Sequence, residues 1–177
     1  MSNVFFISDL HLGHKNICKF RPFDSVEEHD EYIKENLLTS LTKRSKLFIL
    51  GDVAFTEEAG DWIVGLAKHT PNMTIVLGNH DSDRSCGRSN MLKYMQAGIK
   101  LHGLTTYKDA WLSHCPIHPD EMRKKSYSVH GHCHGMFSPM IDLGDGDYDP
   151  DNRYFDVSCE NVDYKPIRYD QILERVL

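Results

Sequence analysis

The sequence lacks what a disulfide-stapled or membrane-spanning protein needs. Its 177 residues hold five cysteines, Cys18, Cys86, Cys115, Cys133 and Cys159, an odd number at irregular spacing with no C-x-x-C pair. That disfavours a disulfide framework and a structural zinc ribbon, and free thiols fit a reducing compartment. No apolar run approaches membrane-spanning length, and no basic leader precedes the strand-like run at Val4. The expected location is cytoplasmic, with no membrane partner. Positive charge is also scarce: 20 Lys and Arg stand against 26 Asp and Glu, a formal charge of −6. Stable binding to duplex DNA needs a basic footprint and is not expected. A nucleotide substrate stays open, because bound metals can reverse the local sign of a site. No internal repeat and no linker rich in Pro, Gly or Ser divides the chain, so one domain is expected over residues 1–177.

The first half has a regular rhythm. Val4–Ile7, Leu47–Leu50 and Met73–Leu77 are continuous apolar runs, the pattern of strands buried on both faces. Ser25 followed by Glu28 has capping-box spacing, and Val26, Ile33, Leu37 and Leu41 behind it fall on one helical face. A second helix should follow Thr56, using Ala59, Trp62, Ile63, Leu66 and Ala67. A weaker one is expected over Asn90–Gln96. The second half offers short β-like segments near Leu101–Thr106, Ala110–His114, Tyr127–His130 and Tyr154–Val157, then a helix near Tyr169–Arg175. The fold expected is α/β: a four-layer α/β/β/α sandwich of two mixed sheets flanked by helices.

Polar motifs sit directly behind the strands. Asp9-Leu10-His11 follows the first, Gly51-Asp52 the second and Gly78-Asn79-His80-Asp81 the third; later segments end in His114 and in Gly131-His132-Cys133-His134. Ligands of open α/β sheets bind beyond the carboxyl ends of the strands, so the five motifs can meet at one edge. Carboxylate and imidazole suit first-row divalent metals, and a carboxylate such as Asp52 can bridge two of them. The Asp9-x-His11 and His132-x-His134 spacings would put alternate side chains on one side of an extended segment. The glycines at 51, 78 and 131 permit tight turns and close backbone approach. Two cations about 3.5–4 Å apart can hold a bridging hydroxide and clamp a phosphoryl group. Taken singly, Asp-x-His or Gly-Asp is no more than a turn; the force lies in the set and its order.

These five signatures resemble those of the calcineurin-like metallophosphoesterase superfamily, over nearly the whole chain. The runs Asp9–Ile17, Arg21-Pro22-Phe23, Leu112–Pro116 and Tyr164-Lys165-Pro166 resemble a compact subgroup common in bacteria and their phages. The resemblance implies that Asp9, His11 and His134 hold a first metal, that Asn79, His114 and His132 hold a second, and that Asp52 bridges them. It implies a leaving-group role for His80, which Asp81 would orient by a hydrogen bond. Cys133 stands where the family often has Thr and is read as a packed thiol.

Outside the motifs, three residues are candidates for substrate contact: His14, whose competing reading is a surface histidine; Arg21, which could equally pair with Asp24; and His118 at the mouth of the site. His29, His69 and His102 receive no role. Residues 142–151 carry five Asp, but Pro150 stands where a calcium loop starting at Asp145 needs Gly, so a solvated acidic loop is expected. The implied chemistry is hydrolysis of a phosphodiester or phosphomonoester, with small nucleotides the best-fitting substrates. The metals would be two divalent ions, Mn2+ first, with Fe, Ni or Zn as alternatives. One rival is a nuclease, for which Arg123-Lys124-Lys125 is the best basic fragment. Another is a silent binding scaffold, which the intact ligand set argues against. Oligomeric state is not legible.

Overall fold

The computed structural model describes residues 3–83, 86–144 and 146–176. In chain order the elements are β1 (Val4–Ile7), α1 (Val26–Ser40), β2 (Lys46–Leu50), α2 (Glu57–His69), β3 (Asn72–Val76), α3 (Asn79–Asp83), α4 (Gly87–Gln96), β4 (Lys100–His102), β5 (Thr105–Tyr107), β6 (Ala110–Leu112), β7 (Tyr127–His130), β8 (Met140–Gly144), β9 (Asp147–Pro150), β10 (Tyr154–Asp156), β11 (Ile167–Arg168) and α5 (Tyr169–Val176). Among these residues no helix is long and apolar enough to cross a membrane.

Two mixed sheets form the body. The first runs β11-β1-β2-β3-β4 and the second β10-β7-β6-β5. Strands β1 to β4 are parallel, with β11 antiparallel at the edge; β10, β7 and β6 are parallel, with β5 antiparallel. The apolar runs are central strands because both their faces are covered: Phe6, Ile7, Leu47, Ile49 and Leu50 are wholly buried. Between the sheets Phe6 stacks on Phe48 at 5.1 Å and meets Tyr107 of β5 and Tyr169 of α5 at 6.0 Å each. That aromatic cluster ties the sheets together and fixes which strand ends lie side by side.

The helix starts are set by their caps. Ser25 Oγ accepts from Glu28 N at 3.1 Å, and Glu28 reaches back to Asp24 N at 2.9 Å, one residue beyond the usual box. Thr56 Oγ1 accepts from Ala59 N at 3.1 Å. Ile33, Leu37, Ile63 and Leu66 are buried, while Val26 and Trp62 are half-buried. The acidic segment departs from expectation. Met140–Gly144 and Asp147–Pro150 pair as the antiparallel strands β8 and β9 rather than lying in a loop, with Gly144 and Gly146 left-handed at φ 86° and 87°. Asp145, the start of the calcium loop considered above, lies outside the described residues.

Candidate metal centre

The parallel strands deliver their following residues to one place. Behind β1, Asp9 N donates to Gly51 O at 3.0 Å and His11 N to Asp52 O at 3.0 Å, so the first two motifs run together. His114, behind β6, reaches across to the first sheet, its Nδ1–H donating to Leu50 O at 2.8 Å. Gly131 N donates to His114 O at 2.9 Å, and His132 N to Asp9 Oδ2 at 2.9 Å, bringing in the motif behind β7.

The segments are not extended, contrary to the spacing argument. Asp9, His11, Asp52, His132 and His134 all have left-handed backbone, with φ between 50° and 69°. Side chains in such a conformation do not alternate as in a strand. The local kinks, rather than period-two geometry, turn these groups toward each other. Each left-handed non-glycine residue costs about 1–2 kcal/mol, the kind of strain that marks a functional site. Clearance is equally tight. A Cβ on Gly131 would stand 2.3 Å from Asp9 Oδ2, and one on Gly78 would stand 2.2 Å from Asp52 Oδ1.

The ligand atoms form two overlapping groups. Those of Asp9, His11 and His134 lie within 4.8 Å of one another, as do those of Asp9, Asp52 and His114. Asp9 Oδ1 is 3.8 Å from His11 Nε2 and 3.5 Å from His134 Nε2. Asp52 Oδ2 is 3.7 Å from His11 Nε2 and 3.4 Å from His114 Nε2, so one oxygen faces both groups. Two ligand atoms bound about 2.0–2.2 Å from one cation stand at most about 4.4 Å apart, so these separations fit. Asp9 Oδ1 and His11 Nε2 are buried without any hydrogen-bond partner. Such orphans are costly in a folded protein, and a cation would satisfy both.

Electrostatics points the same way. Burial alone would raise the Asp9 and Asp52 carboxyls, but the facing histidines hold both below the ordinary carboxylate value. Burial likewise pushes the His114 imidazole down, and Asp52 with Asp9 outweighs it, setting its pKa at about 9. The raised value favours the protonated ring in the metal-free protein, and His114 Nε2 lies 3.0 Å from Asn79 Oδ1. Burial also lowers His11, whose ring packs on His14, Phe55 and His134.

Of the remaining residues named from sequence, some join the site and some do not. Asn79 meets His114, and His132 packs edge-on to it with ring centres 5.0 Å apart. His80 is half-buried beside the centre, its ring 6.1 Å from His11 and its N–H donating to Asp52 Oδ1 at 2.9 Å. Asp81 is not aimed at that ring. Its carboxylate accepts backbone N–H groups from Asp52 (2.9 Å), Val53 (2.9 Å) and Gly78 (2.7 Å), knitting the turns behind β2 and β3. Its neighbourhood of three inward-facing amides captures both oxygens. His14 stacks on Phe55 at 4.2 Å, with its Nδ1 3.3 Å from His11 Nδ1. Arg21 is not at the surface: it is only 3% exposed and bonds Glu160 instead of Asp24. His118 is exposed and caps a helical turn at Pro119–Glu121, lining a separate 380 Å³ hollow with Trp111 and Arg123. Cys133 is fully buried, as a packed thiol should be.

Sequence reasoning missed Glu160. Its Oε1 accepts from His134 Nδ1 at 2.8 Å and from Arg21 Nε at 2.7 Å. It follows Cys159 in no motif, and its partners are 26 and 139 residues away, so no local signal marks it.

A His/Asp cluster able to hold divalent metal thus converges at the carboxyl edge of two mixed sheets. The sequence profile of the calcineurin-like phosphoesterases matches residues 2–169, and the chain belongs to that family. It is 30% identical over 169 residues to the Gene 66 protein of Mycobacterium phage L5, covering 80% of each chain. An uncharacterised protein of Methanocaldococcus jannaschii is 25% identical over 185 residues, covering 99% of this chain and 92% of that one. Among solved structures, a protein of unknown function from Aquifex aeolicus superposes with TM-score 0.67 at 24% identity, covering 97% of both chains. The phosphopantetheinyl hydrolase of Mycobacterium tuberculosis gives TM-score 0.50 at 14% identity, covering 97% and 91%. Both structural likenesses concern the fold.

Proposed function

We propose that the chain is a single catalytic domain that hydrolyses a small phosphate ester, best a nucleotide mono- or diester, with two divalent cations. Asp9, His11 and His134 would hold the first, Asn79, His114 and His132 the second, and Asp52 both. The observation that carries this reading is the pair of buried, unpartnered atoms Asp9 Oδ1 and His11 Nε2, with Asp52 Oδ2 facing His11 and His114 together. When bound, the cations supply Lewis-acid polarisation of the phosphoryl group and an activated water. Mn2+ is the ion expected to support activity in vitro, since mixed imidazole and carboxylate sites accept it along with Fe, Ni and Zn.

The charge balance suits an anionic substrate. Asp9 and Asp52 carry two negative charges against four positive charges from two divalent cations, so a loaded site is locally positive on an acidic protein. His80, outside both ligand groups and beside His11, is assigned to the phosphate or the leaving oxygen. A small substrate is favoured over a polynucleotide. In the Arg123–Lys125 stretch, Arg123 pairs with Glu121 at 2.8 Å and Lys125 donates to Lys108 O, so two of its three cations already have partners. The free cysteines fit the cytoplasm.

The test is a panel of monoesters, cyclic diesters and oligonucleotides assayed after chelation and after Mn2+ is restored. Chelation should abolish turnover and Mn2+ should return it. His80→Ala should keep both metals yet lose about 10²–10⁴-fold on poor leaving groups, and less on p-nitrophenyl esters. Full turnover by metal-stripped protein would refute the mechanism. Loss of metal in His80→Ala as severe as in His132→Ala would make His80 a ligand.

A further inference from the structure

A buried guanidinium lies directly beneath the centre, and its bonds are spent on the backbone, on one carboxylate and on one imidazole. Arg21 Nε donates to Glu160 Oε1 at 2.7 Å, and Arg21 Nη2 to Asp9 O at 2.7 Å. Arg21 Nη1 donates to Leu10 O at 3.3 Å and to His29 Nε2 at 2.8 Å. His29 Nδ1–H in turn donates to Asp30 Oδ1 at 2.8 Å, and Asp30 Oδ2 accepts from Gly13 N at 2.8 Å. The whole segment from Asp9 to Gly13, with Asp9, His11 and Gly13 left-handed, is thus pinned from below by helix α1 and Arg21.

The other arm of the pair holds a ring. Glu160 Oε1 accepts from His134 Nδ1–H at 2.8 Å, which orients the ring so that His134 Nε2 faces Asp9 Oδ1 at 3.5 Å. One ion pair therefore fixes the backbone of Asp9 and the ring of His134, two of the three members of the first ligand group. Asp9 is shared with the second group, but the imidazole there is held differently: His114 Nδ1 rests on Leu50 O, and the proposed ligand His132 donates its backbone N–H to Asp9 Oδ2.

Stability alone does not account for this arrangement. Glu160 Oε2 is buried with no hydrogen-bond partner. A buried ion pair with an unsatisfied oxygen is commonly matched or bettered by hydrocarbon of the same size. Places where a fold accepts such a loss are where a site has to be held.

We infer that Arg21 and Glu160 are positioning residues that set the affinity of the first cation position selectively. This rests on the two-cation reading above. The effect expected on removing such a partner is a loss of about 10- to 100-fold in metal affinity.

The experiment is a Mn2+ titration of chelator-stripped protein by calorimetry, with bound Mn2+ followed by electron paramagnetic resonance. Wild-type protein should take up two equivalents. Glu160→Ala should weaken one equivalent about 10- to 100-fold and spare the other. Glu160→Gln, which keeps an oxygen for both His134 and Arg21, should recover most of the loss. Arg21→Lys keeps the charge but loses the planar fork, and should weaken the same equivalent as Glu160→Ala. If the alanine variant does not fold, Glu160→Asp decides. Its shortened side chain should weaken one equivalent, and two unchanged affinities would overturn the inference. Equal weakening of both equivalents, with a parallel fall in melting temperature in chelator, would show a merely structural role and also overturn it. Wild-type protein that takes up no Mn2+ would sink the two-cation reading, and the inference with it.

Discussion

Metal uptake by this centre should be governed by a proton on His114. The structure gives that imidazole two hydrogen-bond acceptors, Leu50 O and Asn79 Oδ1, and a carboxylate at 3.4 Å, raising its pKa to about 9. A cation must displace the proton from Nε2. At pH 7 the competition lowers apparent affinity about 100-fold below its high-pH limit. Raising the pH from about 7 to about 8.5 should therefore strengthen binding at the second position about 25-fold. A histidine at its ordinary value of about 6.5 would gain less than about twofold. The sign for stability is opposite in the two forms. A raised folded-state pKa stabilises metal-free protein fully below about pH 6.5, and that contribution is lost as pH rises through about 9. The gap in melting temperature between loaded and metal-free protein should thus widen from pH 7 to 8.5. The assay is competition for Mn2+ against a fluorescent chelator across this range, with melting curves in parallel. A gain below about threefold would refute the argument, because it would mean that Nε2 is already free at neutral pH.

Two substitutions test the scaffold. Gly131→Ala would place a methyl 2.2 Å from Ser8 Oγ and 2.3 Å from Asp9 Oδ2, so it should lower stability by about 1–3 kcal/mol in urea unfolding and weaken Mn2+ uptake. Unchanged Mn2+ affinity would show that the Asp9 side chain can move freely. Asp81→Asn puts a donor where one carboxylate oxygen accepts an amide, and should cost about 1–3 kcal/mol for each N–H left unpaired. Unchanged stability with a large drop in turnover would return Asp81 to the role of orienting His80.

Strands β1, β2 and β3 were legible because central parallel strands are covered on both faces and so read as unbroken apolar runs. The motifs behind them were legible because Asp, Asn and His pack nothing useful at the end of such a run. Other features had no local signal. The β8-β9 hairpin is exposed and acidic, with Met140, Ile141 and Tyr148 open to solvent, so no face of it alternates as a half-buried strand would. Arg21 looked like a phosphate ligand because a guanidinium suits phosphate. Its burial follows from Glu160, 139 residues away, and only the closed fold brings the two together. Asp81 is expected from sequence to serve its neighbour His80, while its oxygens accept Gly78 N in its own turn and the amides of Asp52 and Val53 behind β2. The left-handed backbone at five candidate ligands was invisible because none of the five is glycine.

Those five left-handed positions make the molecule a poor subject for thermostability selection. In a metal-free screen, Gly or Asn at positions 9, 11, 52, 132 and 134 would relieve backbone strain and be scored as improvement. The heat-resistant survivors would be shells that had shed their ligands one residue at a time. Only a selection that keeps the cations present, and rewards their retention, would let the fold harden without emptying its centre.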